Sequence, residues 1–359
     1  MRYPWDSILL EIGNLYLPEL WEWSARADIH RRLSLENQFL CAALGVLGRL
    51  CYEALGGKTH SYEVGLAGAL LSLLTKIDDQ WIDNRAFHRG MKTPRALLEE
   101  KTWLYLFPTL SAIEKGRTDS SEPRCEIGAK LGEWLWALDP EGERRKQVIE
   151  WIKQGWKTQV RSVSVFTRHP QETDLETVSA VTSDISGCWL LMISSIGMLP
   201  SDASRPLSKE ETKLFFEWGL HIQRADALCD FQKDIEEGLI STYAGYLIFQ
   251  KIPREYPRIA LSAYRLIQEY GIDFQCIPEE SELQRLEDRM TGLGNIASLF
   301  RWIHGFLLFR YLCKAGLGSK DFPGYRAFDP QSYLAYINGV SSFVQKWEKK
   351  GKGKPCSEV

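Results

Sequence analysis

The chain contains no Cys-x-x-Cys pair, although it holds eight cysteines, at 41, 51, 125, 188, 229, 276, 313 and 356. Without paired spacing, a zinc ribbon or a dithiol redox motif has no basis. Most of these cysteines stand in apolar helical surroundings, as buried reduced thiols do, which fits a reducing cytoplasm. There is no basic excess either. The net charge is −3, so no broad positive field exists to hold nucleic acid. No uncharged run reaches the length of a membrane span, so no integral membrane segment is expected; the nearest run, 185–200, is short and ends at Pro200. The opening residues, MRYPWDSILLEIG, carry Asp6 and Glu11 inside their apolar part and make a poor signal peptide. No stretch alternates with period two between hairpin turns, and no repeat recurs at solenoid spacing. A Glu-x-x-His pair, the mark of di-iron bundles, is missing. So is a His-Asp dipeptide that could anchor a helical metal phosphohydrolase.

What remains is helix. The 359 residues are 44% hydrophobic and 25% charged, a globular composition with thirteen Trp. Helical patterns cover 6–28 (interrupted by Gly13 and Pro18), 34–55, 61–84, 92–116, 125–138, 141–160, 174–199, 208–238, 255–271, 280–315 and 330–348. Ser34 caps the second and Gly56-Gly57 ends it. Ser208 and Glu211 form a capping box. The Gly292-Leu-Gly294 phrase marks a break. The expected architecture is a single all-α domain of about ten helices over residues 1–348. The Lys-rich tail, 349–359, follows as a solvated extension. Cys356 stands fourth from the end, but Ser357 and Glu358 do not suit a prenylation box.

Two of these helices carry acids where a core stripe would be. In 208–238, Asp226, Asp230 and Asp234 recur every four residues among apolar neighbours. Acids at that spacing lie about 40° apart around the axis and about 6 Å apart along it, so they repel. Water and nearby cations offset this on a surface; a divalent metal offsets it in a cavity. The second cluster, Asp79 and Asp83 preceded by Asp78, ends the most apolar helix of the first half. One DxxxD is common on a solvated helix face. Two of them, each in apolar sequence and far apart in the chain, suit ionisation of a diphosphate. Mg2+ takes carboxylates on one side and phosphate oxygens on the other, and stabilises charge on the leaving group. The carbocation left behind needs a dry, aromatic-lined cavity.

The phrases DDQWIDN and HIQRADALCDFQKDIEEG together resemble the class I isoprenoid (terpenoid) synthases, and within them the large terpene synthases and the squalene/phytoene-synthase-like branch. ELWEWSARADIH and the glycine-bearing TSDISGCWLL also look like the large-terpene-synthase pattern. The resemblance implies an all-α bundle with two aspartate-rich helices facing across a cavity. It assigns metal binding and catalysis to Asp79, Asp83, Asp230 and Asp234, with about three Mg2+ ions bound together with the diphosphate. Gln223 and Asp226 would support metal or water. Arg224 and Lys233, with Arg85, are candidates for the diphosphate side, and Tyr243 for an aromatic donor closing the site. The partner is then a prenyl diphosphate, and a homodimer is a common form of such bundles.

The pattern also departs from that group. Head-to-head synthases carry Tyr where this chain has Val181, six residues before Gly187, and Arg where it has Cys229. The large terpene synthases continue with a Gly-Asp-Leu-Asn-like phrase where this chain reads Gly238-Leu-Ile-Ser-Thr. Three readings stay open. The first is a Mg2+-dependent cyclase, a carbon–oxygen lyase; the second is a head-to-head prenyl transferase. The third is a non-catalytic helical protein that binds a lipid or a partner, with its acids simply solvated. Trp302, Phe306 and Phe309 are either cavity lining or plain core, and His221 and His304 read as core histidines.

Overall fold

The computed structural model describes residues 15–26, 35–81, 95–166, 173–237, 278–315 and position 345. The helix expected at 255–271, that at 330–348 apart from position 345, and the tail lie outside these residues. Ten α-helices and no strand occur among the described residues. They are α1 Leu17–Arg26, α2 Leu35–Ala54, α3 Ser61–Trp81, α4 Arg95–Lys115, α5 Pro123–Leu138, α6 Glu143–Phe166, α7 Leu175–Ser195, α8 Lys209–Glu237, α9 Glu280–Arg289 and α10 Ile296–Ala315. The all-α expectation holds.

Local chemistry explains most of the ends. Pro18 falls in the first turn of α1, where its missing amide costs nothing. Asp174 caps α7 by accepting from the Thr177 amide at 2.6 Å. The capping box at α8 is reciprocal: Ser208 N–H donates to Glu211 Oε2 at 2.7 Å, and Glu211 N–H donates to Ser208 Oγ at 3.1 Å. Gly56 ends α2 at a φ of 90°, and Gly294, at a φ of 56°, separates α9 and the turn Thr291–Leu293 from α10.

Three boundaries differ from those read in the sequence. α5 starts at Pro123, inside the expected loop 117–124. α6 runs six residues past 160, because Val163, Val165 and Phe166 are buried there. α7 stops at Ser195 and closes in a 3₁₀ turn, Ile196–Met198.

The course of the chain follows from which residues touch. Gly48 lies against Val64, and Gly45 against Gly65 and Ala69, so α2 and α3 are antiparallel. Gly155 meets Met192, Thr158 meets Cys188 and Arg161 meets Asp184, so α6 runs against α7. Gly68 faces Ile193, while eleven residues on Asp79 reaches Gln159, next to the Thr158–Cys188 contact. Therefore α3 also runs against α7. The Leu207 amide reaches Met198 Sδ at 3.4 Å, Gly219 lies against Gly187, and Gln223 meets Ser186. So α8 runs against α7 too. The central helix α7 thus has α3, α6 and α8 around it, all pointing the other way, with α10 and α9 packed on α8.

One core joins these helices, with Tyr16, Tyr52, Trp156, Phe215, Trp218, Phe300 and Tyr311 as its largest fully buried side chains. The stretch Glu176–Met198 is long and apolar enough to cross a membrane, which the shorter uncharged run 185–200 did not suggest. Most of it is buried against α2, α6 and α8, the position of a core helix.

Candidate active site

Asp79 stands in the last turn of α3, on a side chain 29% exposed. Two donors hold its carboxylate. Lys76, one turn earlier, donates from Nζ to Oδ2 at 2.8 Å; Gln159 of α6 donates from Nε2 to Oδ1 at 2.9 Å. The neighbouring Asp78 points the other way, into the protein. It is 1% exposed, and neither oxygen accepts a hydrogen bond. Arg124 Nη1 is 3.7 Å from it, too far for one. Burial pushes the Asp78 carboxyl up to about 7, against the pull of Arg124; Asp79 and Glu122 push the same way as burial. Arg124 is itself fixed by Glu122 at 2.9 Å and by the ring of Tyr105, 3.5 Å below its guanidinium.

On α8, Gln223 accepts a hydrogen bond from Ser186 Oγ. Ser183 Oγ donates to the Phe216 carbonyl at 3.1 Å. Both serines belong to the phrase TSDISG, so that phrase serves as the seam between α7 and α8. The seam is tight. A Cβ on Gly219 would lie 2.3 Å from the Gly187 amide nitrogen, and one on Gly187 would lie 2.7 Å from Phe216 Cα. Asp184, in the same phrase, is half-buried beside Arg161, and burial raises its carboxyl while Arg161 opposes.

The remaining candidates divide as follows. Asp226 and Arg224 are half-buried on α8. Arg224 lies near His221, whose imidazole is lowered chiefly by burial, with Glu282 opposing and Arg224 adding to the fall. Positions 230, 233 and 234 belong to the last two turns of α8, but the side chains of Asp230, Lys233 and Asp234 lie outside the described set. Asp83, Arg85 and Tyr243 lie outside the described residues altogether. Helical periodicity puts positions 230 and 234 on the strip of α8 that carries Gln223. Because α3 and α8 both run against α7, the acid-bearing ends of both point toward the N-terminal end of α7.

Lys76, Gln159 and Arg124 are contacts that the sequence reading did not assign. Lys76 and Asp79 are one helical turn apart, so their pairing was available from spacing. Gln159 is eighty residues from Asp79, and no local pattern announces it. The described part of the aromatic stretch reads as core, and the Phe309 side chain lies outside the described set. Trp302 and Phe306 stack at 5.3 Å, and Phe306 is buried in the same cluster as Phe300. His304 is fully buried and His221 pairs with Glu282 at 3.5 Å, as expected for core histidines. The five described cysteines are buried and unpaired with one another; burial pushes Cys41 up to about 12 and Cys188 to about 11, so these thiols stay protonated.

Among the described residues, no three His, Cys, Asp or Glu side chains gather into a metal-holding group. Only one of the four expected carboxylates, Asp79, has its side chain within that set. Of the carboxylates expected to hold Mg2+, the described side chains thus supply Asp79 alone, a half-open hard-oxygen donor at a helix end, with Asp78 turned away from it.

No family model and no curated protein matches the chain. Among solved structures, it is similar to the geranylgeranyl pyrophosphate synthetase from Pyrococcus horikoshii Ot3, with 11% identity and a TM-score of 0.42 over 95% of this chain and 99% of that one. At that level the chemistry has to be argued from this chain's own residues.

Proposed function

We propose that the protein is a Mg2+-dependent prenyl diphosphate enzyme and, more finely, a class I terpene synthase that ionises an allylic prenyl diphosphate and cyclises the carbocation. The observation that supports it most is the parallel course of α3 and α8 across α7. Two acid clusters 150 residues apart in sequence thereby leave the bundle at one end. A solvated-face origin for both clusters gives no reason for this.

In this reading Asp79, Asp83, Asp230 and Asp234 hold the metal ions. When bound, Mg2+ neutralises the diphosphate and stabilises its departure. Gln223, fixed by Ser186, and Asp226 orient water or substrate at the wall. Arg224 and Lys233 take the anionic end of the substrate, and Tyr243 closes over it. We favour cyclisation over head-to-head transfer because of the residues at 181 and 229. Val181 is fully buried in the core, and Cys229 donates from Sγ to the Leu307 carbonyl of α10 at 2.9 Å. Both positions are committed to packing where a head-to-head enzyme of the resembling branch would place Tyr and Arg. The buried free thiols accord with work in the reducing cytoplasm.

One observation favours the non-catalytic reading. Asp79 already has a partner on each oxygen, as an ordinary helix-end acid does. Assay separates the three. The protein is incubated with Mg2+ and prenyl diphosphates of increasing chain length, and free diphosphate and hexane-extractable products are measured. Cyclic products support the cyclase and doubled-length products the transferase. Absence of diphosphate release at every chain length supports the non-catalytic protein. Asp79→Asn and Asp230→Asn are each expected to abolish release; activity retained in both would move the site elsewhere.

A further inference from the structure

We propose that α9 is a strap over α8 that mild acid releases, with His221 as its proton sensor. The proposal is independent of the reaction assigned above. Of the ten residues of α9, Leu283 and Leu286 alone are buried. A helix of that length does not hold its shape by itself in water, so its neighbours must hold it. Beyond the two leucines, ionic contacts do so. Arg289 reaches Glu217 of α8 at 2.6 Å and pairs with Glu210 as well. Glu287 accepts from Ser298 and Arg301 of α10, each at 3.3 Å, and Glu280 pairs with the same Arg301.

One contact is of another kind, because it ends on a group that ordinarily titrates near neutral pH. His221 Nε2 lies 3.5 Å from Glu282 Oε1, and its Nδ1 is buried with no hydrogen-bond partner among the described residues. A neutral ring suits this place. An imidazolium does not, because it loses its hydration there. Burial accordingly lowers the His221 imidazole from its ordinary 6.5. Glu282 of α9 and Glu217 of α8 oppose that fall, while Arg224 of α8 and Arg285 of α9 add to it. From α10 come His304, whose own imidazole His221 depresses, and Arg301, which acts on His304. Along its seam with α8, α7 brings Ser183, Ser186 and Gly187, none of which titrates, and its Asp184 is turned to Arg161 of α6. The two acids are matched by two guanidinium groups, so no net negative charge offsets the lost hydration.

Lifting α9 takes Glu282 and Arg285 away and lets water reach the ring. The open form then takes up a proton near 6.5, and the closed form only at lower pH. Closure is therefore at full strength above 6.5 and weakens as pH falls below it. The test is hydrogen exchange of the full chain at pH 7 and at about pH 5.5, read on peptides from α9 and α5 and corrected for the intrinsic pH dependence of exchange. The α9 amides are expected to open more often than those of α5 at both pH values. Their opening constant is expected to rise several-fold over the acid step, to about eightfold at most. His221→Gln is expected to remove that rise. Glu282→Gln is expected to keep or enlarge it, since the acid that favours the imidazolium is gone. Thermal melting at pH 7 shows whether each variant is folded, and if His221→Gln is not, Glu282→Gln decides alone. An opening constant shared by α9 and α5 would mean that the strap does not open separately. A rise that persists in His221→Gln, or that vanishes in Glu282→Gln, would place the sensor elsewhere. Each of these results overturns the proposal, as does the absence of a rise in the wild type.

Discussion

Two buried ionisable groups set what single residues can be asked to do. His304 is fully buried on α10, and burial holds its imidazole down to about 3, with His221 and Arg301 adding to the fall. The folded protein therefore stays unprotonated there while the unfolded chain takes up a proton near 6.5. Stability from this site is complete above about 6.5 and is lost as pH falls toward 3, by about 3–5 kcal/mol at most. Urea unfolding at pH 7, 5 and 4 should show the wild type losing more stability than His304→Gln over that span. An equal loss would mean that His304 is not the group being protonated. The cation nearest Asp78, buried on α3, is Arg124. Arg124→Met should destabilise by about 3 kcal/mol, because it leaves a buried carboxylate without compensation. Combining it with Asp78→Asn should recover part of that loss, since the uncompensated charge is then gone. No recovery in the double variant would place the cost of Arg124→Met in its packing on Tyr105 and its bond to Glu122 instead.

At the scale of elements, the α7–α8 seam is the contact with least tolerance. Gly219→Ala places a methyl 2.3 Å from the Gly187 amide nitrogen, backbone against backbone, so the helices must separate. A loss of about 1–3 kcal/mol is expected from overpacking, read as a fall in the urea midpoint. Ser208→Ala, at the start of the same helix, should cost about 1 kcal/mol through the lost capping box and leave the seam intact. The contrast shows which features a sequence displays. The capping box, the buried course of 174–199 and the break at Gly292–Gly294 are local patterns, and all three were readable. The continuation of α6 to Phe166 was not, because Val163 and Val165 are poor helix formers held helical by burial. Pro108 within α4 was read through correctly. It removes the amide that would bond the Leu104 carbonyl, but both residues are exposed, so that carbonyl faces solvent rather than the core. The site divides the same way. Asp79 and the α8 acids stood out by their spacing, whereas Gln159 and Arg124 reach α3 only through the tertiary fold. Asp78 stood beside Asp79 in sequence, yet nothing local showed that the two point in opposite directions.

For the whole molecule, the question is whether α3 and α8 act on one ligand. Their antiparallel packing against α7 directs both acid-bearing ends to one end of the bundle, which is the arrangement a shared metal–diphosphate assembly requires. Ligand that binds only the folded state raises its stability by mass action, so Mg2+ with inorganic diphosphate should raise the melting temperature of the wild type. Asp79→Asn and Asp230→Asn should each abolish that rise. The combination of the two discriminates more sharply than either alone. If one assembly spans both helices, the first substitution already removes it, and the double variant loses no more of the ligand-induced shift than a single one does. If the clusters bind cations separately, the losses add. Additive partial losses would divide the clamp into two independent surface sites and remove the main support for diphosphate ionisation. A complete loss in each single variant, unchanged in the double, would join two helices that share no sequence neighbourhood into one site, with α7 as the element that holds them at a common level.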